Sequence, residues 1–292
     1  MVRYLDPKYD LTFKRVFGEH KHLCISLINS MLPPDENREV VEIEYETGEM
    51  IPQLDALKYS VVDVQCTDSY GRQFIVEMQM EWTENFKSRV LLNASKAYVV
   101  QLDRTQKYRM LHPVYAINFV NDIFEKSPEM KDEYYHHYKI VNVRHTEKRI
   151  DGLEFIFIEL PKFKPHTRAT RKLHELWLRF LTEINERTDE APPELLSDAC
   201  IREAMQYVEV GAYNKSQLLT YDRAKMDVMT AVSALSDSKD EGIKIGLTKG
   251  RAEGRAEATA EIIVNLLKSG ISPEEVSKLT GLPPDEIGKL KD

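Results

Sequence analysis

The chain has 292 residues, 42% hydrophobic and 30% charged, with 40 Lys and Arg against 48 Asp and Glu and a formal net charge of −8. This is the composition of an ordinary globular protein, long enough for one sizeable core plus an appendage, and no run approaches the roughly 18 consecutive apolar residues of a membrane span. The acidic balance gives no support to nucleic-acid binding, which a basic excess usually marks, so any such role must rest on local cations or bound metal. The opening MVRYLDPKYDLTFKRVF is broken by charge too early for a signal peptide. Cys24, Cys66 and Cys200 are odd in number and widely spaced, which suggests neither a disulfide framework nor a zinc cluster. Free thiols in a reducing compartment are expected, hence a cytoplasmic location.

In chain order, Asp10 to Met31 reads as helix, with Phe13, Val16, Phe17, Leu23, Leu27 and Ile28 near helical spacing and a break around Gly18. Asp10 is placed to cap it. Val40–Tyr45 is a short strand candidate. SVVDVQCT (60–67) and QFIVEMQM (73–80) read as two strands joined by the turn sequence DSYGR, most simply a hairpin. A long helix follows from about Thr83 to Gln106, with Phe86, Val90, Ala94, Ala97 and Leu102 in its buried stripe. PVYAINFVN, from Pro113, is apolar enough for a central strand covered on both faces. LEFIFIEL (153–160) is a further strand, and from Arg168 onward the pattern is mostly helical. This order predicts a mixed α/β fold, a sheet flanked by helices with a helical C-terminal region.

Between Lys162 and Arg179 lies a basic stretch, Lys162, Lys164, Arg168, Arg171, Lys172 and Arg179 against one acid, Glu175, with Phe163, Trp177 and Phe180 interleaved. It is a candidate contact for a nucleic-acid backbone, although Trp177 and Phe180, three apart, have the spacing of a core stripe. Gly242, Gly246, Gly250 and Gly254 recur every four residues. That spacing puts them along one helix face, fitting either close helix–helix packing with self-association or a weak, frayed linker. In ISPEEVSKLTGLPPDEIGKL two short helices follow, the first capped by Ser272 with Pro273 and Glu275, the turn made at Gly281. The second is short and acidic at its start, so a small packing or partner-binding module is expected rather than a DNA-reading helix.

The chemistry concentrates in VDVQCTDSYGRQFIVEMQM. Glu77 and Gln79 are two apart and share one face of their strand, while Met78 points to the other. Hairpin pairing brings Asp63 close to Glu77. Two carboxylates beside an apolar layer lose hydration and repel each other, and a divalent cation relieves both problems. Magnesium suits such a site because it takes oxygen ligands and keeps several waters. The spacing alone also fits polar residues on the solvent face of a strand.

The same segment resembles the signature of the PD-(D/E)XK family of recombination-promoting nucleases and transposases, in which a strand Asp precedes a Gly-containing turn and an E-[MI]-Q strand. DLTFKRVFG resembles that family's opening, Arg89, Tyr98 and Gln101 fall where it shows R…Y…Q, and HPVYAINFV and PKFKP match further on. The similarity spans roughly residues 5 to 185. It implies a restriction-endonuclease-like four-stranded mixed sheet flanked by helices, and magnesium-dependent hydrolysis of DNA phosphodiester bonds, with manganese as a substitute ion. Asp63 and Glu77, helped by the Met78 backbone carbonyl, would hold the metal. Gln79 stands where the wider superfamily more often has Lys; it can orient but supplies no charge.

Arg89 is a candidate for the missing cation or a solvated Arg lying over Phe86. Tyr98 and Gln101 line the groove or close the helix–sheet contact. Glu19 is either the additional helix carboxylate of many relatives or a plain surface residue. Three regions are expected: a nuclease-like domain at 1–190, a helical extension at 191–240, and a glycine-repeat helix with a small helical tail at 241–292. The expected activity is that of a DNA endonuclease in recombination or transposition-like processing, with DNA as partner, no membrane, and homo-oligomerisation through the tail. The alternative is a catalytically silent nuclease-fold scaffold or DNA-binding protein that oligomerises through the same tail.

Overall fold

The computed structural model describes residues 3–33, 38–46, 49–50, 60–102, 107–165 and 172–289. Helix α1 (Asp10–Phe13) runs into a π-helical turn, Lys14–Gly18, and resumes as α2 (Lys21–Met31), so the break expected near Gly18 is present. Asp10 does not cap: Tyr9 occupies the cap position and no side chain bonds there, which leaves Asp10 as the first helical residue.

The strands are β1 (Ile43–Tyr45), β2 (Glu49–Met50), β3 (Ser60–Val61), β4 (Val64–Asp68), β5 (Gln73–Gln79), β6 (Val114–Val120), β7 (Tyr135–Asn142) and β8 (His145–Glu159). Six form one sheet in the order β1-β4-β5-β6-β8-β7, and β2 pairs with β3 separately. The main sheet is mixed: β4 and β5 are the antiparallel hairpin, β5–β6 and β6–β8 are parallel, and β7–β8 is antiparallel. It therefore has six strands rather than the expected four. The strand foreseen at Val40–Tyr45 adds one edge. The other edge, β7, was not foreseen: its sequence YHHYKIVN is polar and, beyond His136, half-buried or exposed, so it lacks the apolar alternation that marks a half-buried strand.

Side-chain alternation splits the core between the two faces of the sheet. Phe74, Val76, Ile117 and Phe119 face one cluster with Phe13, Phe17, Leu27 and Trp177. Ile75, Val114, Ala116 and Val120 face another with Phe86, Val90, Ala94 and Ala97 of α3 (Glu84–Val99). Every residue of β6 is buried, as its near-continuous apolar run requires. Helices α4 (Lys172–Glu183), α5 (Pro193–Leu196) and α6 (Ala199–Tyr207) follow, and Leu195, Ile201, Ala204 and Met205 join the first cluster.

Of the basic stretch, Lys164 and Lys172 are exposed, whereas two other members are turned inward. Lys162 is buried, its Nζ 2.6 Å from Glu159 and donating to the carbonyls of Glu125 and Met130. Arg179 is buried and paired with Glu183 at 2.7 Å, and Trp177 and Phe180 are core residues. Arg168 and Arg171 lie outside the described residues.

The chain divides into two compact units, residues 1–228 and 229–292. Helix α7 (Lys215–Lys268) starts in the first and ends in the second, followed by α8 (Pro273–Thr280) and α9 (Pro284–Lys289). The second unit has its own small core of Ile263, Val276 and Ile287. Ser272 accepts the N–H of Glu275 at 3.3 Å, and Gly281 turns the chain at φ 74°, in the left-handed region that favours glycine. A Cβ added at Gly242, Gly246, Gly250 or Gly254 would meet nothing within 4 Å. No helix among the described residues is long and apolar enough to cross a membrane.

Candidate active site

The β4–β5 register aligns Val64 with Val76, so Asp63, in the short break between β3 and β4, comes to the end of β5 that carries Glu77. Its carboxylate substitutes for a ladder bond: Oδ2 accepts the Met78 N–H at 2.7 Å. On its other flank Lys14 reaches from the π-helical turn, with Nζ 4.0 Å from Asp63 Oδ1 and 2.6 Å from Asp10 Oδ1. Burial pushes the Asp63 carboxyl up to about 7, with the Asp10 and Glu77 charges adding to the rise and the Met78 N–H and Lys14 opposing it.

Glu77 is buried on the α3 face. Asn93 donates to its Oε1 at 3.0 Å, and Arg89 lies 3.5 Å from its Oε2. Burial raises its pKa as well, while Asn93 and Arg89 hold it down. Arg89 also donates to Gln79 Oε1 at 2.7 Å, and the Gln79 amide donates to the Glu81 carbonyl at 2.7 Å. The guanidinium lies over the Phe86 ring at 4.9 Å while it contacts Glu77 and Gln79. Met78 packs against the opposite core cluster, as the strand period requires.

The remaining predicted residues lie elsewhere. Tyr98 packs in the α3-side core with its hydroxyl near Gly152, which adjoins the β8 residue paired with Val114, at the opposite end of the sheet from Glu77. Gln101 holds the main chain of His112 at both ends, by bonds of 3.0 and 2.8 Å. Glu19 is exposed beyond the π-helical turn, close enough to Tyr213 to perturb it. The carboxylate that the first helix does bring toward Asp63 is Asp10.

Three contributors were not singled out by sequence. Asp10 and Lys14 are four apart in DLTFK, the spacing that pairs charges on a helix. Asn93 was visible as the one amide in the apolar stripe of Phe86, Val90, Ala94 and Ala97, four residues after Arg89.

Among the described residues no group of three or more His, Cys, Asp and Glu is gathered for a metal ion. The donor set is two carboxylates, both held toward protonation by burial. That fits a hard divalent cation that keeps much of its water and takes few protein ligands; it does not fit zinc, which prefers a nitrogen and sulfur cage.

Comparison with known proteins adds one match: residues 7–236 match a family described as PD-(D/E)XK nuclease family transposase. Neither the curated proteins nor the solved structures give a match.

Proposed function

The chain belongs to the PD-(D/E)XK nuclease family transposases, and we propose that it is a magnesium-dependent DNA endonuclease that hydrolyses phosphodiester bonds in recombination or transposition-like processing. The observation that carries this reading is the pair of converging carboxylates, Asp63 and Glu77, whose pKa values are both raised by burial without a cation in full contact. Asp63 and Glu77, with the Met78 carbonyl, would hold magnesium, and manganese is the expected substitute. When bound, the cation supplies positive charge against the phosphate and makes water more acidic.

The protein's own cations flank this pair. Arg89 brings charge to Gln79, the position where a neutral amide cannot supply it, and Lys14 brings charge to Asp63 from the other side. Gln79 itself is held at both ends of its amide, which makes it an orienting group for Arg89. With a net charge of −8, local cations of this kind are what oppose repulsion of the DNA backbone.

The test is nicking of supercoiled plasmid with magnesium. Cleavage is expected in the parent protein, lost with chelator and lost in Asp63→Ala and Glu77→Ala variants that keep their circular dichroism. Equal cleavage by both variants would overturn the assignment.

Self-association through the tail belongs to the same reading. Ile243, Ile245 and Leu247 are more than half exposed on α7, beside glycines with open space around them. Light scattering should show an oligomer that dissociates on replacing Ile243 and Leu247 with Asp; an unchanged mass excludes this role.

A further inference from the structure

Asn93 lies in the α3 stripe at 1% exposure, amid side chains that are otherwise apolar. Its Nδ2 group is used on Glu77 Oε1. Its Oδ1 is buried and has no hydrogen-bond partner among the described residues. A buried carbonyl oxygen left without a donor costs free energy, and such groups in folded proteins call for a specific explanation.

A second orphan stands beside it. Asn118 on β6 is the lateral partner of Glu77 in the parallel register, and in-register neighbours project to the same face of a sheet. Asn118 is fully buried, its Nδ2 donates to the carbonyls of Ala116 and Ile156, and its Oδ1 is likewise unpartnered. Glu77 thus has one of these amides bonded to it from the helix above and the other as its in-register neighbour on the adjoining strand. The two amide oxygens lack donors, and the hydration shell of a hard cation consists of polarised water donors.

We propose that Asn93 is a positioning residue of the cation site, holding Glu77 through Nδ2 while Oδ1 accepts from the hydration shell of the cation, with Asn118 providing the second acceptor. This rests on the reading of Asp63 and Glu77 as cation ligands. It explains why an amide, which can donate and accept at once, stands in an apolar stripe where Leu would pack but leave Glu77 Oε1 without this donor. Its apolar neighbours and the bond to Glu77 keep that amide from turning to solvent.

Manganese titration followed by electron paramagnetic resonance, without DNA, tests this. Asn93→Leu is expected to weaken manganese binding about 10–100-fold, the usual effect of removing a partner of a metal ligand. Its melting temperature in chelator should stay near that of the parent, because removal of an orphaned acceptor offsets loss of the donor to Glu77 Oε1. Asn93→Ser, which keeps a smaller donor and acceptor, should fall between the two and serves if the Leu variant does not fold. Affinity unchanged in both variants, with Glu77→Ala losing binding, overturns the role of Asn93 alone and leaves an ordinary buried water as the partner of its oxygen. Affinity unchanged in Glu77→Ala as well overturns the cation site from which this proposal starts.

Discussion

Asp63 Oδ2 accepts the backbone N–H of Met78 at 2.7 Å, so one side chain serves both as a strand-end tie and as half of the paired carboxylates. The tie needs only an acceptor, whereas the charge is a burden without a cation. With its side chain 20% exposed, Asp63 holds its proton in the folded chain up to about 7, against an ordinary value of 3.8. A raised folded pKa contributes stability that is complete below the unfolded value and lost as pH rises through the folded one.

Asp63→Asn should therefore stabilise the metal-free protein at pH 8, where the parent carries the buried charge. The carboxamide oxygen still accepts from Met78. The gain is on the order of 2–4 kcal/mol after allowing for partial exposure, and should vanish near pH 4, where both side chains are neutral. Thermal melts in chelator at the two pH values measure it. A variant less stable than the parent at pH 8 would show that the carboxylate is compensated without metal.

Metal binding must displace the same proton. Manganese affinity should rise with pH from about 5.5 to about 7, by up to about tenfold per unit, and level off above. Burial of Glu77 shifts its titration in the same direction. An affinity flat across this range would mean that the ion binds elsewhere.

Arg89 touches Glu77 and Gln79 with one nitrogen while resting on Phe86. Lysine keeps the charge but has no planar fork and stacks less well. Arg89→Ala should lower kcat about 100-fold or more if the guanidinium opposes charge developing on the phosphate. Arg89→Lys should recover part of kcat with little change in DNA affinity. Loss confined to DNA affinity, with kcat intact, would make Arg89 a backbone contact instead.

The hairpin, the central strand and the pairing of Asp63 with Glu77 were legible because each rests on local patterning: alternation, a turn of Asp, Ser and Gly, and a strand period of two. Edge strand β7 was not legible, since its partner β8 supplies the pairing that its own polar sequence does not announce. Two members of the basic stretch were illegible for a related reason. Charge is visible in sequence, but whether Lys162 and Arg179 face solvent depends on Glu159 and Glu183, and the first of these pairs also needs carbonyls from a loop some 30 residues away. Tyr98 shares a helix with Arg89 and Gln101 follows that helix's end, yet helix length alone carries them past the site to the other end of the sheet.

Glu159 shows how a residue remote from Asp63 and Glu77 can fix the chain beyond Gln79. Its fully buried carboxylate accepts the N–H groups of Phe124 and Glu125 at 2.6 and 3.0 Å, together with His136 at 2.8 Å and Lys162 at 2.6 Å. This ties down the loop after β6, where Asp122 takes the Trp82 N–H at 3.0 Å just beyond Gln79. Glu159→Ala strands a buried ammonium and two N–H groups, and should cost about 3–5 kcal/mol. Glu159→Gln keeps an acceptor for the two N–H groups but removes the charge facing Lys162, so a smaller loss is expected. Urea unfolding of both variants measures the difference. If Glu159→Ala lowers stability by less than Glu159→Gln, the loop is held by packing of Phe124 on Trp82, at 4.2 Å between ring centres, and not by the carboxylate.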